Sequence, residues 1–170
     1  MTSATQPAGI NRLELVTYGV LWTAALVWSL GGPSDGITLF LEVLPVLIVM
    51  PLMIVTRNSF PLTPLLYRLA FIHGLVLILG GYYTYAEVPL GFWIQDWFDL
   101  TRNNYDRIGH FFQGFVPAIL AREILLRKTA LQRGKLMFYI VVSICLAFSA
   151  FYEIIEWWAA AALGMGAADF

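Results

Sequence analysis

Residues 37–55 read ITLFLEVLPVLIVMPLMIV, a run in which Glu42 is the only charged side chain. As a helix rising about 1.5 Å per residue, that run is about 28 Å long, close to the ~30 Å hydrocarbon core of a bilayer. Pro45 and Pro51 interrupt it without adding charge. Working outward, Leu13–Leu30 is a second stretch of this kind, closed by Gly31-Gly32-Pro33. It lacks an Ala-x-Ala exit and reads as a span rather than a cleaved leader. Leu65–Tyr83 follows, ending in Gly80-Gly81 and the tyrosines Tyr82, Tyr83 and Tyr85. Tyr105–Leu126 is the weakest by hydropathy, and Leu136–Leu163 carries Trp157 and Trp158 near its far end.

Composition agrees with these spans. The 170 residues are 59% hydrophobic and 12% charged, and the mean hydropathy is +0.74. A soluble domain is about half apolar and about a quarter charged, so this chain has too few charges to cover its apolar side chains in water. The expected fold is an all-α integral membrane protein, a single helical bundle over residues 1–170. It would have about five transmembrane helices (13–30, 37–55, 65–83, 105–126 and 136–163) plus a short interfacial helix. The net charge of −1 predicts no nucleic-acid partner. Cys145 is the lone cysteine, which leaves no internal disulfide and marks it as a small packing residue.

The loops orient the spans. Arg12, Arg57, Arg127, Lys128, Arg133 and Lys135 fall on one side, and only Arg102 on the other. By the positive-inside rule the N-terminus and the 127–135 loop are cytoplasmic. Val88–Asn104 is too polar to cross. Helical spacing puts Trp93, Trp97 and Leu100 on one face and Gln95, Asp96 and Asp99 on another, the pattern of a helix lying on the outer membrane surface. An aromatic-rich loop packed on the bundle fits the same residues.

Ionisable side chains within spans are costly, about 2.5–3.5 kcal/mol each at mid-membrane on insertion scales, and so mark interior or hydrated positions. Asp106, His110 and Gln113 stand at i, i+4 and i+7 and share a helix face. Glu153 and Glu156, at i and i+3, share another. Glu42 and His73 add one group each on the second and third spans. Pro45 and Pro117 free the carbonyls of Leu41 and Gln113 beside these groups, which suggests a hydrated cavity. Arg122, Glu123 and Arg68 lie near span ends, where snorkelling to the headgroups accounts for them. Arg107 suits either a lipid phosphate or a carboxylate partner. The central set fits a structural network that fixes helix register, or a functional cavity in the outer half of the membrane.

The block Tyr105-Asp106-Arg107-Ile108-Gly109-His110-Phe111-Phe112-Gln113-Gly114, with Arg122-Glu123 and Tyr152-Glu153-x-x-Glu156-Trp157, resembles the YjdF family of bacterial inner-membrane proteins. The likeness covers nearly the whole chain. The Asp-x-x-x-His pattern is also similar, more weakly, to VanZ-like membrane proteins. The resemblance implies a multi-pass protein of the bacterial inner membrane and supplies no reaction. It also implies that members run on past Phe170 into a further span, so more acidic residues are expected beyond this chain's end.

Three functions remain open on these residues. In an enzyme acting on a lipid-linked substrate, His110, Glu153 and Glu156 would be catalytic. Asp106, His110, Glu153 and Glu156 would bind a divalent metal ion, the hard or borderline kind that carboxylate and imidazole favour. In a small proton-coupled transporter the same groups would relay protons, and the short chain would need a homo-oligomer. In a non-catalytic assembly protein they would only set helix packing, beside a membrane-complex partner. Orientation is testable first: reporter fusions at position 95 should register outside and fusions at position 130 inside, and the reverse pattern would overturn the assignment.

Overall fold

The computed structural model describes residues 9–34 and 36–163. Among them are six α-helices and no strand: α1 Arg12–Ser29, α2 Gly36–Thr56, α3 Pro64–Tyr83, α4 Pro89–Phe98, α5 Tyr105–Lys128 and α6 Lys135–Leu163. Each expected span therefore coincides with a helix, and the expected interfacial segment contains one. Residues 164–170, from which a further span is expected to continue, lie outside the described residues.

Local chemistry sets the helix ends. Asn11 caps α1, its side chain accepting the Leu13 N–H at 3.0 Å. Pro64 and Pro89 open α3 and α4 at a position where a missing N–H costs nothing. Left-handed residues close the same two helices, Thr84 (φ 62°) and Asp99 (φ 49°). Pro45, Pro51 and Pro117 all lie inside continuous helices.

Among the described residues three helices are long and apolar enough to cross a membrane: α2, α3 and α6. α1 opens on Arg12 and Glu14, and α5 carries Asp106, Arg107, Arg122 and Glu123. Those charges keep both below the apolarity of the other three. The most apolar 18 residues of α6 have a mean hydropathy of 2.1, yet only 6% of them are buried within the protein. Phe138, Leu146, Phe148, Phe151, Trp157 and Trp158 are all exposed. A helix that is apolar all round and uncovered by its own chain belongs in lipid.

The chain divides into two compact units, residues 1–110 and 111–170. In the first, α3 packs against both α1 and α2. The α1–α3 seam runs in one direction along both helices. Glu14 meets Arg68, Tyr18 stacks on Phe71 at 4.2 Å, Trp22 lies against Phe71 and Gly74, and Trp28 stacks on Tyr82 at 3.9 Å. These two helices are therefore parallel neighbours. α2 runs back between them: Met50 reaches Gly19 of α1, and Glu42 lies against Gly81 of α3. In the second unit α5 leads through residues 129–134 into α6, and Val116, Met137 and Val141 are buried. Cys145 Sγ sits 3.6 Å from the Gly114 carbonyl, the small-residue packing role expected of it.

The seam depends on Gly74. A Cβ there would come within 2.6 Å of the Trp22 indole, which is 3% exposed and has no room to withdraw. Gly74→Ala should therefore cost about 1–3 kcal/mol through overpacking. Gly114→Ala, where a Cβ meets nothing within 4 Å, should be neutral or stabilise by up to about 1 kcal/mol. Thermal unfolding in detergent would separate the two, and equal effects would refute this account of the seam.

Candidate functional site

The Tyr105–His110 turns of α5 are anchored from both flanks. Asn103 is 7% exposed and works in two directions. Its Nδ2 donates to the Val88 carbonyl before α4, and its Oδ1 accepts the Tyr105 N–H at the start of α5, each at 3.0 Å. Gly91 makes room for it, since a Cβ at Gly91 would overlap the Asn103 amide. Thr84 and Tyr85, both at positive φ, turn the chain so that the Tyr85 ring covers Gly80 and Gly109. Tyr105 donates its hydroxyl to the Val76 carbonyl at 3.2 Å and is 2% exposed. Tyr105 and Gly109 are thus the inward face of these turns.

Asp106 and His110 occupy the next face, one turn apart. Asp106 Oδ2 accepts from Arg102 at 3.0 Å, an i,i+4 pair formed across the helix start. Asp106 Oδ1 is buried and has no hydrogen-bond partner among the described residues. A carboxylate oxygen in that state has capacity for a proton, a cation or a water. His110 is exposed. On α6, Glu153 is exposed and Glu156 half-buried. Glu42 is half-buried beside Gly81, at the Thr84 end of the first unit, and His73 is half-buried in mid-α3. Among the described residues no group of three or more His, Cys, Asp or Glu side chains is placed to hold a metal ion.

Two charged residues assigned to snorkelling have partners instead. Arg68 Nε bonds Glu14 Oε1 at 2.8 Å, and the Tyr18 hydroxyl donates to the same oxygen at 2.6 Å. Glu123, 9% exposed, accepts from Arg127 at 2.6 Å. The second pair was readable as i,i+4 spacing. The first lies across 54 residues, and no local signal announces it. Arg107 is exposed, and the carboxylate beside it, Asp106, is paired with Arg102. In α4, Gln95 turns its Oε1 inward while Trp93 and Trp97 are exposed. The expected polar face is therefore split, with Gln95 inside and Asp96 exposed.

Residues 14–170 match the model of a family described as predicted membrane protein, DUF2238. The chain belongs to that family. It is 48% identical over 161 residues to the inner membrane protein YjdF of Escherichia coli strain K12, covering 95% of this chain and 77% of that protein. No solved structure matches it. Family membership thus supports a helical protein of the inner membrane and assigns no chemistry to the Asp106–His110 turns.

The anchoring gives an ordered expectation for variants. Asn103→Ala removes the side-chain partner of the buried Tyr105 N–H and one of the two donors to the Val88 carbonyl, and should cost about 1–3 kcal/mol. Arg102→Gln breaks a pair whose side chains are 59% and 34% exposed and should cost less than about 1 kcal/mol. Melting temperatures in the opposite order would refute the anchor.

Proposed function

We propose that this chain is a five-span protein of the bacterial inner membrane, with its N-terminus cytoplasmic, in which Asp106 and His110 exchange a proton or bind a divalent cation. Glu153 and Glu156 carry the same chemistry on α6. The observation that supports this most directly is the buried Asp106 Oδ1, which has no hydrogen-bond partner among the described residues. A permanently neutralised knot would close both carboxylate oxygens, and this one leaves an acceptor open.

The polarity of the first unit supports the topology. One end carries Arg12, Arg57 and the Arg68–Glu14 pair. The other carries Glu42, Tyr82 and Tyr83, the aromatic and acidic composition of an outer interface. α4, with Trp93 and Trp97 exposed, is suited to lie at that surface. A lipid-linked substrate is the reactant such a position would present. A divalent metal at Asp106 and His110 would supply an activated water, with His110 as the acid–base candidate of the first unit and Glu153 and Glu156 as separate candidates on α6. With a proton alone, the same carboxylates serve a coupled carrier.

The test uses the full chain purified in mild detergent and reconstituted in vesicles. Asp106→Asn, Glu153→Gln and Glu156→Gln keep shape and remove charge. The two glutamine variants should therefore fold with equal or higher melting temperature, and Asp106→Asn should lose less than about 1 kcal/mol, the worth of its exposed Arg102 pair. Stoichiometric divalent metal in the wild-type protein, lost in the variants, supports the metal reading. Proton-linked uptake lost in the variants supports the carrier. Variants that match wild type in metal content, proton flux and cellular phenotype would sink both and leave a role in assembly.

A further inference from the structure

At the basic end of the first unit, two adjoining concavities share Leu15 and Arg57 in their walls. One is a polar cavity of about 300 Å³, with Gly9, Ile10, Asn58, Pro61 and Tyr67 as its other walls. The second is a groove of about 790 Å³ between α1 and α2, apolar along α1 from Leu15 to Trp28 and closed on the α2 side by Met50 and Ile54. We infer that together they bind one phospholipid, with the headgroup phosphate in the polar cavity and an acyl chain in the groove.

The polar cavity is built for an anion. Among the described residues its walls include no carboxylate. The neighbouring Arg68 is occupied by Glu14, but Arg57 makes no ion pair among the described residues. Arg57 Nε donates to Asn58 Oδ1 at 3.3 Å, which leaves its terminal nitrogens and the Asn58 amide nitrogen as donors. Tyr67 decides the matter: it is 1% exposed, and its buried hydroxyl has no hydrogen-bond partner among the described residues. Such a group is costly to leave unsatisfied, and an oxyanion seated against the Tyr67 wall would accept its hydrogen bond. One unpaired guanidinium matches the single charge of a phosphodiester.

The groove selects the source of that phosphate. It begins where the cavity ends, at Arg57, and follows α1 for about 20 Å, longer than the ~15 Å depth of one leaflet. A free phosphate would leave it unused, whereas a glycerophospholipid fills both. This site is distinct from the Asp106–His110 turns and does not depend on their role.

Native mass spectrometry of the full chain, delipidated and then titrated with dioleoylphosphatidylglycerol, tests the assignment. Wild type should retain one lipid. Arg57→Gln, Tyr67→Phe and Gly19→Leu, the last filling the groove, should each bind about tenfold more weakly, equivalent to about 1.4 kcal/mol. Arg133→Gln, on the exposed α5–α6 turn, should bind as wild type. Lipid-free Tyr67→Phe should melt at or above the wild-type temperature, because it deletes an unsatisfied hydroxyl. A lower melting temperature there would show that the hydroxyl is already partnered and overturn the site. Equal losses in Arg133→Gln, equal binding of dioleoylglycerol, or no retained lipid in wild type would also overturn it. Protection by millimolar inorganic phosphate, unaffected by Gly19→Leu, would replace the lipid with a free anion.

Discussion

The Trp22 indole donates to the Phe71 carbonyl at 3.0 Å while its ring lies against Gly74. That contact fixes both the distance and the direction of α1 against α3, since only a residue without a Cβ admits the ring. Once these helices are parallel neighbours, α2 must return antiparallel, and both ends of the unit acquire their character from it. Arg12, Arg57 and Arg68 are gathered at one end, and Glu42 comes beside Gly81 at the other. A chain with the same hydropathy and a bulkier residue at position 74 would keep its spans and lose this arrangement.

Helix positions were legible because lipid imposes a simple code. Every segment apolar for about 20 residues became a helix, and its bounds followed from Pro64, Pro89, Asn11 and the glycines after α1. The number of crossings is less directly written. α1 and α5 have the length, but their charges fall inside the helix, so hydropathy alone does not distinguish a polar-faced span from an interfacial helix. The burial pattern adds what composition lacks, since α6, whose charges are Lys135, Glu153 and Glu156, is hardly covered.

Of the candidate site, residue types and spacing were legible and pairing was not. Spacing along one helix correctly put Asp106 and His110 on one face. It gave no hint that Arg102, just before the helix, takes one Asp106 oxygen and leaves the other buried. It also passed over Asn103, whose importance comes from bridging Val88 and Tyr105 rather than from its charge or hydropathy. Likewise Arg68 looked like a snorkelling base, until the α1–α3 seam brought it to Glu14. Long-range pairing depends on helix order and rotation, and neither is encoded in a single window.

The distribution of satisfied and unsatisfied polar groups then separates scaffold from site. Where a buried polar group is structural it has a partner: the Tyr105 hydroxyl on the Val76 carbonyl, the Trp22 N–H on the Phe71 carbonyl, Glu123 on Arg127. Buried atoms of Ser34, Gln95 and Asn104 are also left open, and those of Asp106 and Tyr67 stand at opposite ends of the first unit beside an arginine. One is an acceptor beside an arginine already engaged, and the other a donor beside an arginine that is not. Their complements differ accordingly, a proton or cation for the carboxylate and an oxyanion for the phenol. Each such opening is kept at a cost of about 1–3 kcal/mol unless something outside the protein fills it.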